Sequence, residues 1–441
     1  MPGSYSDPFL NMGFAAQYLA KNRGVESFIS ASPAKDLKYV VVIPSYDEDG
    51  LIDTLNALWK AQRPRYSIEI IVVVNSSRET SADIREKNRQ TLREIDTWSR
   101  NYCDRDFAAY ALYVPEIPGK DFGAGMARKI GMDEAINRFE QLNRDDGYII
   151  SLDADTAVAD NYFTAIEQTI AKRPAMNAGI LYFEHPVEGG EFSRDIYDAV
   201  AKYELFLRYY NQALRWTGFP YAFHTIGSAF FVRALAYVKQ GGMIRRKAGE
   251  DFYFLNKVFQ LGNICEVHST AVYPSPRFSG RVLFGTGPEV EKITREPDKP
   301  YMTYDPEAFR ALKAFFYGID QLFHCNEREV EDYLNALEPG LEDFLRSVGL
   351  KDEIKRINNN CKRPEVFRKH FFQWFGGLKI IRYMHVVHDK FLDKVPVHLA
   401  ASEMLKMLGY SGQFDNSSVN SRIFQLLSKY REIERSREYT I

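Results

Sequence analysis

The sequence predicts an α/β fold: a mainly parallel sheet flanked by helices, followed by an all-α C-terminal region. Three observations point there. Short β-branched runs alternate with helical patterns over roughly the first two thirds of the chain, the order of parallel strands joined by crossover helices. Those runs are apolar almost throughout, as in strands covered on both faces. After about Lys299 the strand signals stop and helical patterns continue alone.

Tyr39 to Ile43, closed by Pro44, reads as the first buried strand. Leu51, Leu55, Leu58 and Trp59 then recur at helical spacing, and Ile70 to Val74 is a second strand. Ser81 to Arg100 is a polar helix for the outside, Ala108 to Val114 a third strand, and Gly123 to Phe139 a helix. Tyr148 to Leu152 and Ala178 to Phe183 supply a fourth and a fifth strand. Phe192, Ile196, Val200, Tyr203, Phe206 and Tyr210 mark a long amphipathic helix. Further helices are expected over Phe309–Leu322, Glu329–Leu337, Val366–Phe375 and Ser421–Arg431. Pro297, Lys299 and Pro300 interrupt the pattern, which sets an expected division into an N-terminal extension (1–37), an α/β domain (38–290) and a helical region (303–441).

Composition narrows the class. Of 441 residues, 45% are hydrophobic and 26% charged, as in a globular protein of two or three structural units. A net charge of −2 lacks the basic surplus of a nucleic-acid binder. No run reaches the roughly 18–20 apolar residues of a membrane span. Met1 to Lys21 lacks the basic start and apolar run of a signal peptide. The four cysteines have no C-x-x-C spacing and suit a reducing compartment. A cytoplasmic protein without an integral membrane segment is expected.

The chemistry concentrates where the fourth strand ends, at Ser151-Leu152-Asp153-Ala154-Asp155. In an extended segment, side chains at i and i+2 point the same way. Asp153 and Asp155 can therefore offer oxygens to one hard divalent cation, which in turn holds a diphosphate. Open α/β sheets bind ligands at this end of their strands.

The ordered motifs resemble the family 2 glycosyltransferases over about Lys38 to Gly287. Val42 to Glu48 is similar to that family's first strand and its Pro-x-Tyr-Asn-Glu turn, with Asp47 where Asn is usual. Ile70 to Ser77 resembles the second strand, ending in Asn75-Ser76-Ser77 instead of Asp-Asp-Gly-Ser. Gly123-Ala124-Gly125 with Arg128 resembles the glycine-rich segment, Asp153-Ala154-Asp155 the metal motif and Gly227 to Phe231 the acceptor-side strand. Glu250-Asp251 resembles the pair that supplies the base. The resemblance implies the GT-A (Rossmann-like) fold and a metal-dependent hexosyltransferase that moves a sugar from a nucleotide diphosphate to an acceptor hydroxyl, with inversion. It implies a UDP- or GDP-sugar donor, an unidentified acceptor, and Mn²⁺ or Mg²⁺ as cofactor. Membrane spans, which accompany the processive synthases of the family, are absent. Gln212-Ala213-Leu214-Arg215-Trp216 has the letters of their Gln-x-x-Arg-Trp motif, but precedes Glu250 and reads as a helix end.

Each residue then has an expected role. Asp155 ligates the metal, and Asp153 touches the ribose or the metal through water. Asp251 or Glu250 is the base, the bland alternative being an acidic first turn that complements the helix dipole. Pro44, Ser45, Tyr46, Glu48 and Asn75 line the nucleotide, joined by one of Lys120, Arg128 and Lys129. Arg277 and Arg281, among Gly, Ser and Pro after the last strand, suit a lid that grips the diphosphate by bidentate donation. His268 is a candidate third metal ligand. His385 and His388 suit a surface pair, and Phe371, Phe372, Trp374 and Phe375 suit core packing. Two other functions stay open: a sugar-phosphate nucleotidyltransferase, and a non-catalytic binding scaffold whose helical region meets a partner. The first would carry a Gly-x-Gly-x-x-x-Arg loop after the first strand, where Pro44-Ser45-Tyr46-Asp47-Glu48 stands.

Overall fold

The structure, a computed structural model, describes residues 13–22, 28–246, 249–278, 285–412, 414, 418–436 and 439–441. They form two compact units: Met1–Pro186 with Thr225–Pro288 and Glu438–Ile441, and Val187–His224 with Glu289–Arg437. The second unit thus takes residues 187–224 from within the α/β stretch, and the last residues return to the first.

In the first unit the chain runs α1 (Ala16–Asn22), β1 (Leu37–Ser45), α2 (Leu51–Lys60), β2 (Ser67–Ser77), α3 (Ala82–Tyr102) and β3 (Phe107–Ile117). It continues through α4 (Ala124–Gln141), β4 (Tyr148–Ser151), β5 (Thr156–Val158), α5 (Tyr162–Lys172) and β6 (Ala178–Phe183). After α6 (Arg194–Trp216) come β7 (Phe230–Arg233), α7 (Ala234–Lys239), α8 (Glu250–Phe259) and β8 (Ile264–Pro274). The eight strands make one sheet in the order β3-β2-β1-β4-β7-β6-β8-β5. Its pairs β1–β2, β1–β4, β2–β3 and β6–β8 are parallel; those involving β7, and β5 with β8, are antiparallel. This is the expected fold class. Every residue of β2 is buried, which its unbroken apolar run anticipates.

Pro44 lies in a central strand, where a missing N–H would ordinarily break a ladder. Here β4 pairs with β1 only as far as Val42↔Ser151, so the chains have parted before Pro44 is reached. That parting, between strands whose sequence order reverses, opens the crevice in which α/β sheets take ligands. At the opposite end of β8, Ile441 exchanges backbone hydrogen bonds with Ile264 at 3.0 and 3.1 Å, so the C-terminus extends the sheet of the first unit.

The second unit is built from α6 and a series of helices: α9 (Thr286–Arg295, which begins in the first unit), α10 (Pro306–Gly318), α11 (Glu327–Asn335), α12 (Pro339–Ser347) and α13 (Leu350–Asn360). Then follow α14 (Pro364–Trp374), α15 (Gly377–Lys390), α16 (Val397–Met407) and α17 (Val419–Ser436). The region is helical as expected, except for a two-residue antiparallel pairing of Met302–Thr303 with Val395–Pro396. Phe371, Phe372 and Phe375 are core residues as predicted, and Trp374 packs at the edge. The Gln-x-x-Arg-Trp letters close α6 and are used structurally: Gln212 donates to Glu434, Arg215 to the Ala222 carbonyl and Trp216 to the Met407 carbonyl. His388 is not the surface residue expected. It is half-buried, accepting the Asp305 N–H at 2.8 Å through Nε2 while Nδ1 meets the Met384 carbonyl.

No helix among the described residues is long and apolar enough to cross a membrane. Phe371 stacks on Phe375 at 5.9 Å and packs edge-on against Phe315 and Phe372. Phe371→Ala is expected to lower stability by about 3–5 kcal/mol, read as a drop in the urea midpoint.

Candidate active site

The carboxyl ends of β1, β2 and β4, the N-termini of α4 and α8, and the exit of β8 supply the polar groups of the crevice. β4 ends at Ser151, and the chain then turns: Leu152 N–H still donates to Val42, and Thr156 N–H reaches back to the Asp153 carbonyl at 3.3 Å. The extended geometry behind the Asp-x-Asp spacing argument therefore stops before Asp153. The consequence is that the two aspartates pair with different arginines. Asp153 Oδ1 accepts from Arg128 Nη2, while Asp155 Oδ2 accepts from Arg277 Nε at 2.7 Å.

Arg277 reaches Asp155 because β5 follows the turn at once and pairs with the end of β8, with Ser275 N–H donating to the Asp155 carbonyl at 3.2 Å. Its Nη2 also donates to Glu48 Oε2 at 2.5 Å. The other Glu48 oxygen accepts the N–H groups of Asp49 and Gly50 at 3.1 and 3.2 Å. Three carboxyl groups thus crowd one end of the sheet. Burial, followed by the charges of Asp153 and Glu48, lifts the Asp155 carboxyl to about 6 despite Arg277. Burial likewise raises Glu48.

Arg128, buried on α4, donates through Nη1 to Glu250 Oε1 and through Nη2 to Asp153. Burial opposes its charge, but Asp153, Glu250 and Asp251 outweigh that and hold its pKa above the ordinary value. Two glycines make the pairing sterically feasible. A Cβ at Gly125 would lie 2.9 Å from Glu250 Cγ, and one at Gly227 would lie 2.5 Å from Arg128 Nη2. The glycine-rich segment, read from sequence as close approach to a ligand, here makes room for an internal ion pair as well.

Glu250 and Asp251 open α8, with Gly249 before them in the left-handed conformation (φ 69°). Asp251 Oδ1 accepts its own Phe252 N–H at 2.7 Å. Burial and the adjacent Glu250 lift the Asp251 carboxyl to about 7, against the pull of Arg128.

The remaining expected residues divide. Asn75 is buried at the end of β2, donating to the Gly123 carbonyl at 3.4 Å, and its own carbonyl accepts from Asn88. Tyr46 meets Phe122 edge-on at 4.9 Å. The Ser45 hydroxyl is buried without a hydrogen-bond partner. Lys120 is exposed on the turn before α4, and Arg281 lies outside the described residues. His268 is not brought to Asp155. It sits on β8 six residues before Pro274, beside Glu266 at 3.2 Å and the Tyr182 ring. Sequence reading missed Gly227 as the wall behind Arg128; its only signal was a glycine just before a strand.

Among the described residues no group of three or more His, Cys, Asp or Glu is arranged to hold a metal. The donors present still fit Mn²⁺ or Mg²⁺. Such ions use one or two carboxylates and complete their shells with substrate phosphates and water, and Asp155 with Asp153 provides hard oxygens next to a like-charged Glu48.

No family model matches the chain, nor does any curated protein. Among solved structures, residues 1–349 of S. aureus TarS in complex with UDP-GlcNAc are 15% identical, with a TM-score of 0.40 and coverage of 77% of this chain and 92% of that one. Mannosyltransferase PcManGT from Pyrobaculum calidifontis, in complex with GDP-Man and Mn²⁺, is 13% identical, with a TM-score of 0.34 and coverage of 95% and 93%.

Two predictions follow from the packing and the charges. Gly227→Ala should cost about 1–3 kcal/mol by overpacking against Arg128, whereas Gly190→Ala, with nothing within 4 Å, should stay within about 0.5 kcal/mol of the parent. An acid whose folded pKa lies above its unfolded value takes up protons on folding, so it erodes stability as pH rises between the two. For Asp251 that window runs from about 4 to 7. Asp251→Asn should therefore gain on the parent across it, reaching about 1 kcal/mol at pH 8 after screening by solvent, in urea unfolding at several pH values.

Proposed function

We propose that the chain is a glycosyltransferase that moves a hexosyl group from a nucleotide diphosphate to an acceptor hydroxyl with inversion. The observation that carries this reading is the arrangement of acids around the crevice. A titratable acid, Asp251, stands on one side and is tied through Glu250 and Arg128 to a second acidic site, Asp153 with Asp155. A base near neutrality beside a cation-binding pair is what such a transfer needs.

In the proposed step the acceptor oxygen attacks the anomeric carbon from the face opposite the diphosphate. The carbon–oxygen bond to the diphosphate breaks, its electron pair leaves on the phosphate, and the acceptor proton passes to Asp251. Asp155 and Asp153 would hold Mn²⁺ or Mg²⁺, which when bound supplies Lewis-acid stabilisation of the departing diphosphate. Arg277 moves from Asp155 and Glu48 to donate to the phosphate oxygens. Tyr46, with Pro44 and Ser45, borders the nucleotide, and Asn75 offers amide groups to it.

Thermal shift with UDP, GDP and their sugars, with and without Mn²⁺, tests donor binding; donor hydrolysis tests transfer to water. Asp155→Ala should abolish Mn²⁺-dependent protection by UDP or GDP while the unliganded protein unfolds near the parental temperature. Unchanged protection would remove the metal assignment. Arg277→Ala should lower kcat more than donor affinity, because a contact on developing charge strengthens along the reaction. Arg277→Lys should not restore kcat, since an ammonium cannot present two parallel donors. Product with retained anomeric configuration would rule out single displacement.

A further inference from the structure

We infer that Arg128 is a positioning residue of the transfer step, one guanidinium aligning the donor-side carboxylate Asp153 with the acid-bearing N-terminus of α8, so that Asp251 and not Glu250 takes the acceptor proton. This rests on the transferase reading above. Arg128 Nη1 engages the buried Glu250 and Nη2 the part-exposed Asp153, in a space that Gly125 and Gly227 leave open. Its Nε is buried without a partner, so the two terminal nitrogens account for its hydrogen bonds.

Glu250 is thereby committed. One of its oxygens is held by a guanidinium, so that oxygen is already occupied as an acceptor. Among the described residues no cation pairs directly with Asp251; the charges that bear on it are Glu250, Arg128 and Asp153. Glu250 and Asp251 share the first turn of α8, so fixing the first orients the second. A guanidinium has a rigid fork with donors in set directions, which lets one side chain hold two acids in a defined relation. Misplacing a reacting group by about 1 Å costs on the order of 10² in rate.

The test uses the full chain with UDP-GlcNAc and GDP-Man as probes, Mn²⁺ present, and hydrolysis followed as kcat, KM and pH profile. Arg128→Lys is expected to lower kcat by about 10²-fold with donor KM within about 3-fold. The signs of the pH shifts are opposite for the two partners. Removing the cation in Arg128→Gln raises the Asp251 pKa and moves the acid limb of kcat to higher pH. Removing the like charge in Glu250→Gln lowers that pKa and moves the limb to lower pH. Should the Arg128 variants fail to fold, Glu250→Gln keeps the shape of the pair and its limb shift still decides. Turnover kept in Asp251→Asn and lost in Glu250→Gln overturns the inference, as does Arg128→Lys raising KM alone with the limb in place. If the parent hydrolyses neither probe and binds neither UDP nor GDP, the transferase reading fails. The ¹³C NMR titration of the Asp251 carboxyl in parent, Arg128→Gln and Glu250→Gln then tests the coupling on its own, and equal titrations overturn it.

Discussion

A guanidinium buried between Asp153 and Glu250 is the interaction on which the crevice of the first unit depends. An arginine without its partners in that position would be strongly destabilising, and so would the buried Glu250 alone. The three groups therefore constrain one another, and with them the elements that carry them: α4, the turn after β4, and the start of α8. Arg277 repeats the device at the other end of the same turn, holding Asp155 to Glu48 and so the exit of β8 to the exit of β1. Behind this charged rim the sheet is almost entirely apolar and buried, and it supplies the rigid base from which the arginines project.

Much of this architecture was legible in the residues. Runs such as Tyr39 to Ile43 and Ile70 to Val74 have no other stable place than a sheet covered on both faces, and the observed strands extend them at both ends to 9 and 11 residues. The long amphipathic pattern from Phe192 to Tyr210 marked α6, although its assignment to the second unit depends on contacts far along the chain. What escaped was of two kinds. The strand β5 and the pairing of Met302–Thr303 with Val395–Pro396 are two or three residues long and exist only through tertiary partners. Helices α12, α13, α15 and α16 were missed because Pro339, Gly349, Gly376 and Pro396 break the region into short pieces, each a weak periodic signal by itself.

The site divides the same way. Their order and their positions at strand ends pointed to Asp153, Asp155, Glu250, Asp251, Arg128 and Arg277 as neighbours, and ion pairs join Asp153 and Glu250 through Arg128, and Asp155 to Arg277. Which arginine holds which acid was not, because the Asp-x-Asp spacing was read as extended chain. The turn at Ala154 and Asp155 is set by backbone bonds to β1 and β8, which no local pattern reports. His268 shows the converse error. The family resemblance suggested a histidine by the last strand as a metal ligand, but the pairing of β8 with β6 and β5 sets His268 well up the strand from Asp155.

The charges left over after pairing carry the functional argument further than the pairings do. Arginines outnumbering their acids would have made the rim a stable structural knot, with every carboxylate held low. Instead Asp155 is raised to about 6, Asp251 to about 7, and Glu48 upward as well by burial. Asp155 has Asp153 and Glu48 beside it and Asp251 has Glu250, so burial and like charge outweigh the pull of the arginines. Such a placement lowers stability at neutral pH and is not needed by the fold. On the proposed transferase reading, such a site is prepared for charge that arrives from outside: a cation at Asp155, and a proton at Asp251.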